Sequence, residues 1–262
     1  MENPPTNIFS LRDRDIWVFG GAGYLGQPTV SLLCAAGAKV LCADLEDRAA
    51  AFVQSAGLGA GVTAATCDVR DAAALTQFLG DQIRERGVPH GLVNLTFDST
   101  NKPLEDITES DFDTTNHGNL TATFLLTREL GVEMAKLGRG SIVLFSSMYG
   151  SVSPDPGVYR APMNKNSIEY GVNKAGIVQM TKYLAVHWGR ENVRCNCIFP
   201  GPFPPPAVQG DPEFIERLAQ KTPLGRVGKS EEIGGAVVFL LSDAAAFITG
   251  HNLFVDGGWT AW

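Results

Sequence analysis

The sequence predicts a single α/β domain, a doubly wound parallel sheet with helices on both faces. Short apolar runs typical of buried strands alternate along the chain with longer segments of helical character. Strands separated by helices of this length need right-handed crossovers, which make the strands parallel and cover both faces of the sheet. The chain has 262 residues, 44% of them apolar, which suits one domain with a large core. We therefore predict one domain over residues 1–262, with a flexible polar tail at residues 1–13.

The first half of the chain is predicted to contain four strands and three helices. Each strand is a short run dominated by apolar residues, and each helix is a longer segment of mixed polarity. The first helix is expected to stop at Gly37, because glycine is favoured at the position that follows a helix end. The strands are predicted over residues 16–19, 39–43, 62–67 and 92–95, and the helices over residues 25–36, 48–54 and 72–86.

The second half is predicted to continue this alternation. Thr108 or Ser110 is expected to cap a long helix over residues 111–137, and Ser230 to cap a helix that ends at Leu241. In both places a hydroxyl oxygen can accept a hydrogen bond from a free first-turn amide. A further helix is predicted over residues 169–188, and strands over residues 141–145, 193–199 and 253–255.

Two proline-rich stretches, residues 151–167 and residues 200–212, interrupt the regular pattern. Each follows the carboxyl end of a predicted strand, where open α/β sheets bind their ligands. We expect the first stretch to lie over a ligand site and the second to form a lid.

Composition argues against several classes of function. A net charge of −7 without a long basic run argues against nucleic-acid binding. The chain has no run of 18 apolar residues and no apolar leader, so we expect a cytoplasmic protein without a membrane span. The cysteines are not spaced as metal ligands, so we expect buried thiols in a reducing compartment and no metal. They are Cys34, Cys42, Cys67, Cys195 and Cys197.

A glycine-rich turn at residues 20–26 joins the first predicted strand to the first predicted helix. Glycines permit a tight turn and close approach of a pyrophosphate to backbone amides, and the helix N-terminus adds partial positive charge. Asp44, at the end of the second strand, can accept both ribose hydroxyls of an adenosine and would repel a 2′-phosphate. The unit predicts a Rossmann-like site that prefers NAD to NADP, with Arg48 as an opposing charge.

Tyr170 and Lys174 lie four residues apart in a predicted helix, so they share one helix face. A free phenol has a pKa near about 10, and a neighbouring ammonium favours the phenolate, so the pair can move a proton. Ser146 and Ser147 close an apolar strand, where their hydroxyls can reach a crevice. Asn119 lies in an apolar helix, where its amide needs a partner. These residues predict an acid–base site at the strand ends.

In this combination and order, the motifs resemble the short-chain dehydrogenase/reductase family, in its compact single-domain type, over nearly the whole chain. The resemblance implies an oxidoreductase that moves a hydride between a secondary alcohol, or a sugar hemiacetal, and nicotinamide. The matching segments are residues 20–26, Cys67-Asp68-Val69, Asn119-Leu120-Thr121, residues 146–150, residues 170–174, Pro200-Gly201 and residues 255–258.

The resemblance also implies roles for single residues. Tyr170 would be the general base in alcohol oxidation, Lys174 would lower its pKa and hold the nicotinamide ribose, and Ser147 would hydrogen-bond the reacting oxygen. Asn119 would support a water in a proton relay, and Asp68 would meet the adenine amino group. The implied cofactor contacts are Gly20, Gly23, Tyr24, Leu25, Gly26, Asp44, Asp68, Val69, Asn94, Tyr170, Lys174, Pro200 and Gly201.

Four places depart from the family pattern. Phe19 replaces a threonine before the glycine turn, Tyr24 replaces a glycine within it, and Pro205 replaces a threonine that often holds the nicotinamide amide. At residues 94–97, Asn-Leu-Thr-Phe stands where Asn-Asn-Ala-Gly is usual. The four implied catalytic positions are nevertheless filled.

The stretch at residues 151–167 is longer than is common in the family and is expected to hang over the site. It contains Tyr159, Arg160 and Lys165. Arginine binds carboxylates and phosphates in a fork and lysine acts as a point charge, so we expect these residues to bind an anionic group of the substrate. This stretch and the C-terminal residues 257–262 resemble sugar dehydrogenases of the gluconate 5-dehydrogenase type. The resemblance therefore implies a sugar or sugar-acid substrate, NAD as cofactor and a homotetramer.

Three other functions stay open at this point. A keto-reductase acting on acyl or steroid carbonyls would favour a more apolar substrate stretch than residues 151–167. A non-catalytic NAD sensor would have no need to keep Ser147, Tyr170, Lys174 and Asn119 together. An epimerase or dehydratase would need an added substrate domain, for which the chain is too short.

Overall fold

The computed structural model describes residues 7–262, which form a seven-stranded parallel sheet in the order β3-β2-β1-β4-β5-β6-β7. The order reverses between β1 and β4, which opens a crevice at the carboxyl ends of these two strands. The predicted fold class is confirmed. The strands are β1 (Asp15–Phe19), β2 (Lys39–Asp44), β3 (Val62–Thr66), β4 (Gly91–Asn94), β5 (Gly140–Phe145), β6 (Val193–Pro200) and β7 (Asn252–Val255).

Eight α-helices in the described chain cover the sheet. One apolar core lies between one face of the sheet and α3, α5 and α6, and a second core lies between the opposite face and α1, α2 and α8. The helices are α1 (Gly26–Ala35), α2 (Arg48–Ser55), α3 (Ala72–Arg86), α4 (Glu109–Asn116), α5 (Ala122–Lys136), α6 (Ile168–Trp188), α7 (Pro212–Gln220) and α8 (Glu231–Leu241).

The central strands bury side chains on both faces, which explains why they read as continuous apolar runs. Trp17 and Phe19 of β1 enter the first core, whereas Ile16 and Val18 enter the second. Removing each large apolar side chain from water stabilises the fold by about 1.5–3 kcal/mol. Cys195 and Cys197 of β6 both lie in the first core, as their spacing predicts.

The long helix predicted over residues 111–137 is interrupted by a π-helical turn at His117–Thr121. The Asn119 side chain causes a competition for the i−4 carbonyl, because its Nδ2 donates to the Thr115 carbonyl at 2.8 Å. A backbone amide of this turn therefore donates to the carbonyl five residues before it, one residue earlier in the chain than in an α-helix. Thr108 caps α4 through a capping box with Asp111, so the first of the two proposed caps is confirmed.

Three other expectations differ from the structure. Ser230 is already helical and makes no side-chain cap, and the Glu232 carboxylate instead accepts the Lys229 amide at 2.9 Å. Helix α7 lies directly after the second proline-rich stretch and was not predicted. The flexible tail is shorter than predicted, because Leu11 is fully buried and its amide donates to the Ala36 carbonyl at 2.9 Å. Residues 1–6 of that tail lie outside the described part.

Candidate active site

The glycine turn packs the start of α1 tightly against the end of β1. Gly20 has φ +76°, a left-handed conformation that favours glycine. At Gly26 any side chain would overlap the Gly20 carbonyl. The backbone amides of Tyr24 and Leu25 make no hydrogen bond within the described part of the chain. They lie at the N-terminus of α1, so they can donate to the oxygens of a pyrophosphate.

A groove runs from this turn along the carboxyl ends of β1, β2 and β4. It holds most of the side chains that the sequence predicts for the adenosine half of a dinucleotide. Asn94 lies beneath it and is buried, with its Oδ1 accepting the Thr96 hydroxyl at 2.8 Å and its Nδ2 donating to Thr123 at 2.9 Å. Asn94 thus fixes the end of β4, and the residues that follow it line the groove. The lining includes Phe19, Gly20, Gly23, Asp44, Asp68, Val69, Thr96, Phe97 and Asp98.

Asp44 is a buried carboxylate at the end of β2, held between the glycine turn and α2. Its Oδ2 accepts the Ala22 amide at 2.9 Å, and its Oδ1 accepts the Leu45 amide at 2.8 Å. Arg48 forms an ion pair with the same carboxylate at 3.2 Å and is half-exposed. Free amides at a helix N-terminus and a buried acid one strand away fit the pyrophosphate and adenosine ribose of a dinucleotide.

Asp68 lies at the adenosine end of the groove and forms a bidentate ion pair with Arg70, with a closest distance of 2.8 Å. The hydrogen bonds from Arg70 lower the pKa of Asp68, so the carboxylate stays ionised at neutral pH. Val69 packs into the first core beside it. This end of the groove therefore presents a carboxylate held by Arg70 beside the apolar Val69, and the adenine contact of Asp68 stays a prediction.

Tyr170 and Lys174 lie on one face of α6, beside the other end of the groove. The Lys174 ammonium is buried, donates to the Phe145 carbonyl at 3.0 Å and lies 5.6 Å from the centre of the Tyr170 ring. Burial lowers the pKa of Lys174 to about 8. Burial raises the pKa of Tyr170, and interaction with Ser147 lowers it in part. The net direction for Tyr170 is opposite to that expected from Lys174 alone, because burial outweighs the favourable contacts.

The two serines at the end of β5 have different functions in the structure. Ser146 donates to the Lys174 carbonyl at 2.8 Å and ties β5 to α6. Ser147 is buried, and its oxygen accepts the Tyr149 amide at 3.1 Å, which leaves its proton free to donate. Ser147 interacts with Tyr170, and the Lys174 ammonium lies beside the Tyr170 ring, so the three side chains lie together at the end of β5.

The Asn119 side chain forms hydrogen bonds with the backbone of the segment that follows β4. Its Nδ2 donates to the Asp98 carbonyl at 2.8 Å, and its Oδ1 accepts the Asp98 amide at 3.0 Å. With the bond to Thr115, its side chain has a partner for each polar atom. Asn119 thus positions the segment after β4, while its implied role in a water relay stays a prediction.

Pro200 and Gly201 end β6 against the residues that follow β7. The Gly201 amide donates to the Val255 carbonyl at 3.0 Å, and a side chain at Gly201 would overlap the Asp256 backbone. Asp256 in turn accepts the amides of Gly258 and Thr260, each at 2.9 Å. The glycine therefore lets the two strand ends close one side of the crevice.

Comparisons with known proteins agree with this geometry. A family model described as enoyl-(acyl carrier protein) reductase matches residues 22–260. The chain belongs to the short-chain dehydrogenase/reductase family. It is 32% identical to D-threitol dehydrogenase of Mycolicibacterium smegmatis, covering 96% of this chain and 95% of that one. It is 31% identical to gluconate 5-dehydrogenase of Gluconobacter oxydans, covering 97% of each.

A solved short-chain dehydrogenase/reductase structure gives the same result. The gluconate 5-dehydrogenase of Burkholderia cenocepacia, in complex with NADP and tartrate, superposes with a TM-score of 0.87. It is 25% identical, and the match covers 97% of this chain and 98% of that chain. The chain is therefore an oxidoreductase of this family, with relatives that act on polyols and sugar acids.

The predicted substrate residues of this short-chain dehydrogenase/reductase lie in two separate places. Lys165 lines a groove between residues 102–105, residues 149–168 and the first turns of α6, together with Tyr159. Arg160 lines a different depression, beside Arg217 of α7. A single clamp made by Arg160 and Lys165 is therefore not formed in this structure.

Sequence reasoning missed the contacts of three residues near Tyr170 and Lys174: Tyr149, Phe97 and Glu169. The Tyr149 hydroxyl lies 2.6 Å from the Tyr159 hydroxyl, which in turn donates to Asn166 at 3.0 Å. Phe97 packs edge-on against the ring of Tyr170. Glu169 is fully buried, directly before Tyr170. The carboxylate directly before Tyr170 was the sequence signal that could have indicated Glu169.

No cluster of candidate metal ligands exists among residues 7–262, and no helix there is long and apolar enough to cross a membrane.

Proposed function

We propose that this chain is an NAD-dependent dehydrogenase that oxidises a secondary alcohol of a polyol, sugar or sugar acid. The observation that carries the proposal is the convergence of the Tyr170 phenol, the Ser147 hydroxyl and the Lys174 ammonium beside a groove suited to a dinucleotide. Three polar groups with different proton affinities around one point suit acid–base chemistry on a hydroxyl. The names of the polyol and gluconate dehydrogenases among the relatives support the substrate class.

In this proposal each catalytic side chain has one task. Tyr170 accepts the proton of the substrate hydroxyl, and Ser147 donates a hydrogen bond to the same substrate oxygen. Lys174 stays mostly protonated at neutral pH because its pKa is about 8, so its charge favours the Tyr170 phenolate. A bound nicotinamide supplies the hydride acceptor.

Gly20, Gly23, Tyr24, Leu25 and Gly26 would hold the pyrophosphate in this proposal. Asp44 would accept the adenosine ribose hydroxyls, Asp68 would meet the adenine, and Pro200 and Gly201 would close the nicotinamide end. These roles rest on the groove geometry and on the free amides of the turn.

The preference for NAD rests on Asp44. Its carboxylate is buried and fixed by two backbone amides, so it cannot turn away from a 2′-phosphate. Arg48 is half-exposed and pairs with only one oxygen of that carboxylate, whose other oxygen is held by the Ala22 amide. We expect kcat/KM to be at least about tenfold higher with NAD than with NADP, because a charge clash that Arg48 relieves only in part costs about 1.4 kcal/mol or more. Equal values for the two cofactors would remove Asp44 as the selector.

The Lys165 ammonium is the better candidate for an anionic substrate group. It lies in the groove with Tyr159, whereas Arg160 faces another depression. We expect Lys165→Ala to raise the KM of an aldonate several-fold and to leave the KM of the matching alditol unchanged. Arg160→Ala is the matched control, expected to alter neither value. Equal effects of Lys165→Ala on both substrates would exclude charge recognition at this position.

A homotetramer in the cytoplasm completes the proposal. All five cysteines are unpaired thiols, which suits a reducing compartment. Apolar side chains remain exposed on two adjacent helices, α5 and α6, which suits packing against further copies. They are Phe124, Val132, Val172, Tyr183 and Val186. Light scattering is expected to give four times the chain mass, and a monodisperse monomer would contradict this.

The proposed activity is tested by NADH formation across alditols, aldonates, uronates and aldoses, with ketone reduction by NADH on acyl and steroid substrates as the comparison. We expect turnover with at least one alditol or aldonate. Turnover confined to acyl or steroid ketones would favour a keto-reductase, and NADH binding without any turnover would favour a sensor.

A further inference from the structure

Phe97 is an exposed aromatic residue in direct contact with the catalytic pair. Its ring centre lies 6.3 Å from that of Tyr170, at an interplanar angle of 83°. The Lys174 ammonium lies 5.8 Å from the centre of the Phe97 ring. Phe97 nevertheless keeps 66% of its surface exposed and belongs to none of the apolar cores of the described chain. Leaving such a ring in water forgoes about 1.5–3 kcal/mol of burial energy.

The backbone on the C-terminal side of Phe97 is fixed by buried polar side chains. Asn119 binds both the amide and the carbonyl of Asp98. The Oε1 atom of Glu169, a fully buried side chain, accepts the Thr100 amide at 3.0 Å and the Thr100 hydroxyl at 2.8 Å. Burying a carboxylate is costly unless donors surround it, and the donors here all meet Oε1, since Oε2 has no partner in the described chain. The exposed ring therefore stands on a rigid support, not on a loose loop.

The position of the ring indicates what it contacts. Phe97 lines the dinucleotide groove at the end where α6 presents Tyr170. A substrate hydroxyl that donates to the Tyr170 oxygen lies about 3 Å from that oxygen. The carbon chain that carries this hydroxyl must then extend over the neighbouring surface, which Phe97 supplies on one side. Aromatic faces bind the C–H side of a carbon chain, while polar groups nearby fix its orientation.

We propose that Phe97 is the specificity residue of the substrate site, a platform on which the C–H face of a polyol or sugar carbon chain packs. This inference rests on the proposed function and identifies the surface that selects the substrate. The Tyr170, Ser147 and Lys174 side chains recognise one carbinol group, which every secondary alcohol has. Phe97 adds recognition of the carbons beyond it, so it separates long polyols from short alcohols.

The test compares Phe97→Ala and Phe97→Tyr with wild type. We expect Phe97→Ala to raise the KM of the best six-carbon substrate about tenfold with little change in kcat, and to leave the KM of a three-carbon secondary alcohol unchanged. Phe97→Tyr keeps the ring and is expected to behave like wild type. Phe247 is fully exposed, so Phe247→Ala is the matched control and is expected to change neither KM.

Binding measurements separate this inference from the proposed activity. The Kd of NADH, from fluorescence, is expected to rise less in Phe97→Ala than the six-carbon KM does, because Phe97 also lines the dinucleotide groove. Saturation-transfer NMR of the NADH complex is expected to show sugar or polyol signals that Phe97→Ala weakens. An unchanged six-carbon KM, equal NADH and substrate losses, or no polyol signal on wild type would each overturn the platform. If wild type gives no polyol signal, turnover of other alcohols would still support the proposed dehydrogenase activity. Polyol binding without turnover would contradict that activity and not the platform.

Discussion

Replacing Lys174 by methionine tests how much stability the fold gives up to hold an ammonium in its core. Lys174 is buried and donates to the Phe145 carbonyl at 3.0 Å. Methionine fills a similar volume without a charge. Because burial lowers the pKa of Lys174 from 10.5 to about 8, the folded protein binds the proton more weakly than the unfolded chain. We therefore expect Lys174→Met to be more stable than wild type at neutral pH and inactive.

The magnitude follows from that difference in pKa. Below pH 8 both states of wild type bind the proton, and the penalty on folding is complete, at about 3 kcal/mol. Above pH 10.5 neither state binds it, and the penalty vanishes; at pH 10 it is below about 1 kcal/mol. Loss of the donor to the Phe145 carbonyl costs the variant about 1 kcal/mol at either pH. The net gain is about 2 kcal/mol at pH 7 and about zero at pH 10.

Urea unfolding at pH 7 and pH 10, without added nucleotide, measures both values. Lys182 lies exposed on the same helix, so Lys182→Met is the matched control, with a change below about 0.5 kcal/mol. A Lys174→Met variant that is no more stable than wild type at pH 7 would refute the reasoning. A gain of the same size at both pH values would also refute it, because packing alone would then explain the effect.

Three further predictions test the supporting contacts. Glu169→Ala should lower the free energy of unfolding by at least about 2 kcal/mol, since buried donors lose their acceptor, and Glu169→Gln should restore most of it. Hydrogen bonds lower the pKa of Glu169 despite its burial. The stabilisation that Glu169 provides should thus be complete above pH 4.5 and fall as pH drops through the folded pKa. A loss of stability in Glu169→Ala, measured by urea unfolding, that stays the same down to acid pH would contradict this. Gly26→Ala should abolish NADH fluorescence enhancement, because the added carbon would overlap Gly20; wild-type affinity would count against the turn. Ser147→Ala should lower kcat by about 10–100-fold with NADH affinity intact; unchanged kcat would remove its hydrogen bond from the mechanism.

Strand and helix positions could be predicted because burial on both faces leaves a plain sequence pattern. The seven strands were predicted within one or two residues at their ends, since runs such as Ile16–Phe19 have no polar face. Helix α7 was missed because Pro212 in its first turn belongs to a proline-rich stretch that reads as a loop. A proline at that position is compatible with a helix start, so composition alone misleads there.

The shared helix face of Tyr170 and Lys174 could be predicted because four-residue spacing in a helix fixes its geometry locally. Contacts across the fold could not be predicted in this way. Glu169 meets Thr100 from 69 residues away, and Phe97 reaches Tyr170 from a strand end. The π-helical turn at Asn119 depends on competition between its side chain and the backbone for the Thr115 carbonyl. The side chain is also held by its hydrogen bond to Asp98, whose position the local sequence does not give.

The most direct test of the central claim is the turnover of Tyr170→Phe with the best polyol or sugar-acid substrate, with the Kd of NADH measured on the same preparation. The phenol oxygen is the only atom removed, so the groove and the Lys174 ammonium are retained. We expect NADH to bind as in wild type while kcat falls by at least about 100-fold. Turnover near the wild-type value, with NADH bound normally, would contradict the assignment of Tyr170 as the proton acceptor.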